Sequence, residues 1–146
     1  ASHQVFNPRF SAAKFLSSTK TFHDLYAPLT DPAYDPILTF LVSYGHLAIG
    51  LSLLVGLAVR ISSLAGVALM LLYWTAHMEW PYIENHNNLI VDYHIVYATV
   101  CLFLCVNNAG HVLGLDKIAA GLSLVQNHCL LRKIVGQDAE AGAVSA

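Results

Sequence analysis

Charged side chains are scarce in this sequence, and their scarcity limits the classes of protein to which it can belong. Asp, Glu, Lys and Arg make up 11% of the 146 residues, whereas hydrophobic residues make up 56%. A soluble domain usually carries about 25% charged residues, because water must solvate its surface. The composition therefore predicts that lipid is the solvent for much of the chain, and the length permits one domain.

Two further absences exclude other classes of protein. The formal net charge is −2 and no run of Lys or Arg is present, so electrostatics gives no support to a nucleic-acid partner. The 3 cysteines include no C-x-x-C pair, so neither a zinc site nor a disulfide framework is indicated. The opening residues, ASHQVFNPRF, lack the basic-then-apolar pattern of a signal peptide.

Long apolar segments are present instead, and they predict an all-α integral membrane bundle over residues 37–112. The segments cover residues 37–58, 61–78 and 89–107. The first has no charged residue and as a helix would be about 33 Å long, which exceeds the hydrocarbon thickness of about 30 Å. We therefore predict three transmembrane helices.

The flanking segments have a different character. Residues 1–36 combine several prolines with apolar residues at roughly helical spacing, which predicts an interfacial segment with short helices on the outer surface of the membrane. In residues 113–134 the apolar positions follow a 3-4-3-4 spacing, which is typical of an amphipathic interfacial helix. We expect residues 135–146 to form a disordered tail.

Basic residues predict the orientation in the membrane. Arg60 lies in the turn between the first two segments, and Lys117, Arg132 and Lys133 lie in the C-terminal part. Residues 79–88 contain neither Lys nor Arg. Because cytoplasmic loops carry an excess of these residues, we predict a multi-pass protein of the cell membrane. Its 79–88 loop would lie outside and its C-terminus in the cytoplasm.

Ionisable residues inside the apolar segments are the candidate functional residues. His46 lies in the first segment, His77 near the end of the second, and Asp92 and His94 near the start of the third. Such groups cost about 2.5–3.5 kcal/mol on insertion scales and usually face an interior or a water-filled cavity. The sequence leaves open whether the three histidines meet.

One interpretation of these residues is a quinone site. A quinone needs hydrogen-bond donors to its carbonyls, an acid that relays protons and aromatic walls, and imidazole exchanges protons near neutral pH. We predict Asp92 and His94 as the catalytic residues. The predicted quinone-binding residues are His77, Tyr97, Trp74 and His46.

A second interpretation is a haem or copper site. Neutral imidazole is the commonest metal donor, so His46, His77 and His94 are candidate ligands. Cys101 and Cys105 share a helical face with His94, and thiolates suit copper. We favour haem or copper less than quinone, because no H-x-x-x-H or H-E-x-x-H pair is present.

A third interpretation is structural, with the histidines as hydrogen-bonding partners between helices. Ala48, Ser52 and Gly56 are spaced by four residues and form a small-residue face suited to close helix packing. Trp74 also fits the aromatic belt of any membrane protein. From the residues alone, the structural and quinone interpretations are about equally supported.

Four segments, taken in order, resemble the DoxX/DoxD-like family of small membrane proteins. They are AKFLSSTKTFHDLYAPL (residues 13–29), a G-L-x-x-R turn (Gly56, Leu57, Arg60), an N…D-x-H-I-x-Y pattern (Asn88, Asp92, His94, Ile95, Tyr97) and an A-G-x-x-x-G-L-D pattern (Ala109, Gly110, Gly114, Leu115, Asp116). The resemblance covers about residues 13–117.

The resemblance implies a four-helix membrane bundle and a quinone-linked role. Some members of that family are subunits of thiosulfate:quinone oxidoreductase, which oxidises thiosulfate to tetrathionate and passes the electrons to a membrane quinone. We therefore expect a DoxX-like membrane subunit of such an enzyme, with thiosulfate as the best-motivated donor and other membrane subunits and the bilayer as partners. The alternative is a non-catalytic accessory subunit that scaffolds a larger membrane complex.

The family's first membrane helix would precede Ala13, where only a short segment stands in this sequence. We expect that helix to be missing from the chain as given or to be supplied by another subunit.

Overall fold

A computed structural model describes residues 5, 7, 10–83 and 88–137. Residues 84–87 of the predicted outer loop and residues 138–146 of the predicted tail lie outside this description. The helices are α1 (Ala12–Leu16), α2 (His23–Tyr26), α3 (Asp35–Val55), α4 (Val59–Ala76), α5 (Tyr93–Val106), α6 (Asp116–Ala120), α7 (Ser123–Gln126) and α8 (Cys129–Ile134). Short 3-10 helices cover Ala27–Thr30 and Ala109–His111, and the strands are β1 (Met78–Glu79), β2 (Tyr82–Ile83) and β3 (Asn88–Leu89). The described part of the chain is thus mostly helical.

Helices α3 and α4 correspond to the first two predicted spans. They contain 21 and 18 residues, and both are long and apolar enough to cross a membrane. Helix α3 ends at Val55 because Gly56 adopts the left-handed conformation, with φ 71°, which ends many helices. Helix α4 packs against both α3 and α5 and is the central element of the bundle.

The third predicted span is shorter than the sequence suggests, and its predicted start at residue 89 is wrong. Helix α5 has 14 residues, equivalent to about 21 Å. Asn88 and Leu89 pair with β2 instead of joining the helix. Asp92 has an extended backbone and is the N-cap residue of α5. Among the described residues, two helices meet the length expected of a membrane span, and α5 is a shorter apolar helix beside them.

The polar connection between α4 and α5 forms a small antiparallel sheet, which the sequence did not predict. Met78 pairs with Ile83, and Tyr82 pairs with Leu89. The side chain of Ile83 is fully buried, so the sheet packs onto the molecule. We call the end of the bundle that carries this sheet the hairpin end.

The N-terminal segment is fastened to both neighbouring elements. The Asp35 carboxylate accepts hydrogen bonds from Ser11 Oγ and from the Ala13 amide, each 2.9 Å long, so α1 docks on the first turn of α3. Lys20 Nζ lies 2.5 Å from Glu79 Oε2, which ties the segment to the sheet. The predicted short helices are present as α1 and α2.

At the opposite end, two loops meet in a contact that we call the latch, formed by Gly56, Gly110, Gly114 and Asp116. A Cβ atom at Gly56 would lie 2.4 Å from Gly114 Cα, so the two backbones touch. Asp116 is 2% exposed. Its carboxylate accepts hydrogen bonds from the amides of Ala58 (2.6 Å) and Val59 (3.0 Å).

The latch satisfies the first amides of α4 with a carboxylate from a distant part of the chain. Such a group stabilises a helix N-terminus both by hydrogen bonding and by its favourable interaction with the helix dipole. The G-L-x-x-R turn and the A-G-x-x-x-G-L-D pattern of the sequence therefore form one structural contact. The small-residue face on α3 also contacts α4 near this end, since Ser52 Oγ lies 2.6 Å from Ser62 Oγ of α4.

The C-terminal part differs from the single amphipathic helix predicted over residues 113–134. It forms three short helices, with extended backbone at Leu122 and at His128. These breaks let the chain fold back, so that Ala120, Val125 and Val135 pack together in a small core. Val135, which the sequence places in the disordered tail, is buried in that core.

Candidate functional site

Two of the predicted site residues, His77 and His94, come together at the hairpin end. His77 is the C-cap residue of α4 and His94 is the second residue of α5. Their ring centroids lie 5.1 Å apart and the rings are inclined by 30°. The sheet joins the ends of the two helices and so brings the two histidines into contact. This answers, for this pair, the question that the sequence leaves open.

Asp92 binds His94 through both carboxylate oxygens. Oδ1 accepts a hydrogen bond from the His94 amide at 3.1 Å, and Oδ2 lies 2.5 Å from His94 Nδ1. Both residues are buried, with 6% of Asp92 and 4% of His94 exposed. Because an ionised carboxylate only accepts hydrogen bonds, this contact favours the tautomer with the proton on Nδ1, and Nε2 is the second ring nitrogen.

His77 has the same arrangement with a different partner. Its Nδ1 lies 2.9 Å from the backbone carbonyl of Tyr73, one turn earlier in α4. A carbonyl accepts but cannot donate, so Nδ1 is the donor and Nε2 is again the remaining ring nitrogen. The two histidines therefore share one protonation pattern.

Aromatic rings surround this pair, and we call His77, His94, Tyr73 and Phe15 together the ring cluster. The Tyr73 ring lies 6.0 Å from that of His94 and nearly parallel to it, at 8°. Phe15 of α1 lies 5.0 Å from His77 and 5.5 Å from Tyr73. Offset and stacked ring pairs of this kind contribute about 0.5–1.5 kcal/mol each beyond their buried area.

Sequence reasoning missed two members of the ring cluster. Tyr73 precedes His77 by four residues, and residues at that spacing share a helix face, so a search along α4 would have found it. Phe15 lies far from the histidines in the sequence and is brought to them by α1. Nothing in the local sequence indicates that contact.

The remaining predicted site residues have other positions. His46 of α3 joins the ring cluster through Tyr73, with ring centroids 5.3 Å apart. Trp74 Nε1 donates a hydrogen bond to the Ile90 carbonyl at 2.8 Å, so it holds the loop before Asp92. Tyr97 is exposed and lines a different apolar groove, between α3, α4 and α5.

An apolar cavity of about 180 Å³ lies beside the ring cluster, between α1, α3 and α4. Phe15 and Tyr73 line the cavity and also contact His77, so they form a wall common to both. Other lining residues are Ala12, Leu38, Val42 and Leu69. The apolar cavity therefore lies next to the two aromatic residues of the ring cluster, Phe15 and Tyr73.

Metal-ligating side chains are not grouped in the described ranges, where no three His, Cys, Asp or Glu residues come close enough to hold one ion. Cys101 packs against Gly66 of α4, since a Cβ atom added at Gly66 would lie 3.1 Å from the Cys101 Sγ.

Taken together, the fold is that of a mostly helical protein with two helices that could cross a membrane and a buried aspartate–histidine pair at one end. No family model matches the sequence, and neither a curated protein nor a solved structure matches it. The DoxX/DoxD resemblance therefore stays a prediction.

Proposed function

We propose that this chain is the membrane subunit of a quinone-linked oxidoreductase, in which the ring cluster binds the quinone head. The observation that carries the proposal is the 2.5 Å contact between buried Asp92 and His94. Ionisable groups in a membrane segment are costly and usually functional. A carboxylate that holds one imidazole nitrogen, and leaves the other for proton exchange, is a common arrangement in general acid–base catalysis.

The residues of the ring cluster fit a quinone head. Each quinone carbonyl needs a hydrogen-bond donor. With Nδ1 bound to Tyr73 or Asp92, Nε2 of His77 or His94 becomes that donor when the ring takes up a second proton and is an imidazolium. The rings of Tyr73 and Phe15 supply aromatic faces. Binding sites for small ligands are mostly apolar with a few convergent polar groups, and the ring cluster has that composition.

Proton delivery would be the task of the aspartate–histidine pair. Reduction of a quinone to a quinol consumes two electrons and two protons. His94, protonated on both ring nitrogens, would deliver one of these protons from Nε2, and His77 would deliver the other from its own Nε2 in the same state. The Asp92 carboxylate at Nδ1 would orient the His94 ring and stabilise its positive charge. Thiosulfate is the electron donor that the family resemblance favours. Its oxidation matches the electron count, since two thiosulfate ions yield one tetrathionate and the two electrons required.

The test is thiosulfate-dependent reduction of a quinone analogue by membranes that carry the chain, wild type against His94→Ala. Loss of a general acid or base typically lowers a rate by about 10²–10⁴-fold, and we expect a decrease in that range with the protein still assembled. His128→Ala is the matched control, since His128 is exposed in the C-terminal part. Equal activity in wild type and His94→Ala, or none in either, would overturn the proposal.

A non-catalytic accessory subunit is the second candidate function. It is favoured by the large apolar side chains that α3 and α5 expose, including Phe40, Leu54, Phe103 and Val106. Exposed apolar faces of this size fit lipid or a partner helix. Copurification of a larger complex, together with unchanged turnover of that complex in His94→Ala, would favour the accessory role.

A further inference from the structure

The apolar cavity between α1, α3 and α4 has properties that the proposed head site alone does not require. Its volume is about 180 Å³. An engineered apolar cavity of about 150 Å³ stays dry and binds benzene. The cavity is therefore large enough for an apolar group of five or six carbon atoms, and such a group would contact aliphatic and aromatic side chains.

The cavity extends from a buried floor to the surface of the molecule. Ala12 and Ala76 line it and are buried, at 3% and 7% exposed. Leu29, Leu41 and Leu72 also line it, and they are exposed by 39%, 63% and 55%. Leu41 and Leu72 belong to α3 and α4, the two helices that could cross a membrane. The opening therefore lies on a surface that hydrocarbon would cover.

We propose that this cavity holds the first isoprenoid unit of the quinone tail, while the quinone head contacts the ring cluster. This inference rests on the proposed function and names the part of the substrate that it leaves unassigned. The wall formed by Phe15 and Tyr73 makes the two spaces adjacent, since Phe15 lines the cavity and its ring lies 5.0 Å from that of His77. A molecule with a polar ring and an apolar chain matches that adjacency.

The cavity suits a chain better than a quinone head. The Tyr26 hydroxyl, which lines it, is already bound to Thr75 Oγ1 at 2.6 Å and to the Leu72 carbonyl at 3.2 Å. A quinone head in this space would leave its carbonyls without partners, and burial of an unpaired polar group is costly. An isoprenoid chain has no polar atom and incurs no such penalty.

The experiment uses the full chain in nanodiscs and a ubiquinone analogue whose short tail carries a diazirine. After illumination, the labelled residues are mapped by mass spectrometry. We expect label on the segment around Leu38 and Val42 of α3 and around Leu69 of α4. An alkyl diazirine without the quinone head gives the background of labelling from the bilayer.

Two substitutions separate the cavity from the rest of the helix surface. Val42→Phe fills the cavity, and we expect labelling there to fall to background. Leu51→Phe is the matched control, because Leu51 lies on α3, is exposed and does not line the cavity; we expect its labelling to equal wild type. Leu38→Phe fills the same space from one turn earlier and replaces Val42→Phe if that variant does not fold.

Binding of the tail-free ubiquinone head, measured by the quenching of tryptophan fluorescence, distinguishes failure of the proposed head site from failure of the tail site. Head binding that His94→Ala abolishes, combined with tail label elsewhere than the cavity, overturns the tail site and leaves the proposed function in place. Absence of both head binding and cavity label overturns both. Cavity label that the alkyl diazirine alone reproduces assigns the space to a phospholipid acyl chain and also overturns the tail site.

Discussion

Asp92 has two structural tasks, because its carboxylate both caps α5 and holds the imidazole of His94. Oδ1 accepts from the His94 amide at 3.1 Å, and Oδ2 lies 2.5 Å from Nδ1. The two tasks depend on different properties of the side chain. Capping needs a side-chain oxygen acceptor, whereas stabilising a charged imidazole needs the negative charge.

Substitution of Asp92 separates these tasks. Asp92→Asn keeps one oxygen for the cap but places an NH₂ group where the second oxygen accepts, so we expect it to lower the free energy of unfolding less than Asp92→Ala does. Asp92→Ala removes the cap, at a cost of about 1 kcal/mol, and also leaves the buried Nδ1 of His94 without its acceptor. Both variants lose the charge at Nδ1, and we expect quinone reduction to fall by about 10²-fold or more in each. Unfolding in detergent and the thiosulfate-dependent assay measure the two effects. Full activity in Asp92→Asn would show that the charge has no role in turnover.

At the scale of elements, the latch explains why glycine is needed at specific positions. A Cβ atom at Gly114 would lie 2.5 Å from the Gly56 carbonyl oxygen and 2.7 Å from the Gly110 carbonyl oxygen. These are backbone atoms, which cannot move aside as the end of a side chain could. Gly50, in contrast, lies inside α3 and a Cβ there would meet nothing within 4 Å.

The two glycines should therefore respond to alanine with opposite signs. Gly114→Ala forces the two loops apart, and we expect it to lower the free energy of unfolding by about 1–3 kcal/mol, as overpacking does. Gly50→Ala removes a flexible residue from a helix interior, and we expect it to raise that free energy by about 0.5–1 kcal/mol. Unfolding of the purified chain in detergent measures both. Tolerance of Gly114→Ala without loss of stability would contradict the close contact in the latch.

Local properties of the sequence were enough to predict α3 and α4, and non-local contacts set what it missed. A long uncharged apolar run predicts a helix without reference to any other part of the chain, although the predicted segment continues to residue 58, past the end of α3 at Val55. The start of α5 depends on the pairing of Asn88 and Leu89 with β2, and no local pattern records that pairing. Asp92 and His94 are close together in the sequence and could be predicted together, whereas the contacts of Phe15 with His77 and Tyr73 could not.

At the scale of the whole molecule, the positions of the hairpin end and the latch bear on the number of spans. Asp116 contacts Val59, the first residue of α4, and the sheet begins at Met78, just after its last residue. The segment from the sheet to the latch, which contains α5, therefore runs along the full length of α4. That length is about 27 Å for 18 residues. Helix α5 covers about 21 Å of that distance, and its flanking residues cover the rest.

If α4 crosses the membrane, this geometry predicts that the α5 segment crosses it too, despite the short helix. The test is thiol labelling in whole cells with a reagent that does not pass the membrane. Cys129 is exposed in the C-terminal part and is tested in a chain in which Cys101 and Cys105 are replaced by Ala. Leu89→Cys places a thiol on exposed β3 and is tested in a second chain, in which all 3 native cysteines are replaced by Ala. We expect Leu89→Cys to react in intact cells and Cys129 to react only after permeabilisation, because the basic residues near Cys129 favour the cytoplasm. Reaction of both thiols from the same side would mean that α5 does not cross, and that α3 and α4 are the spans.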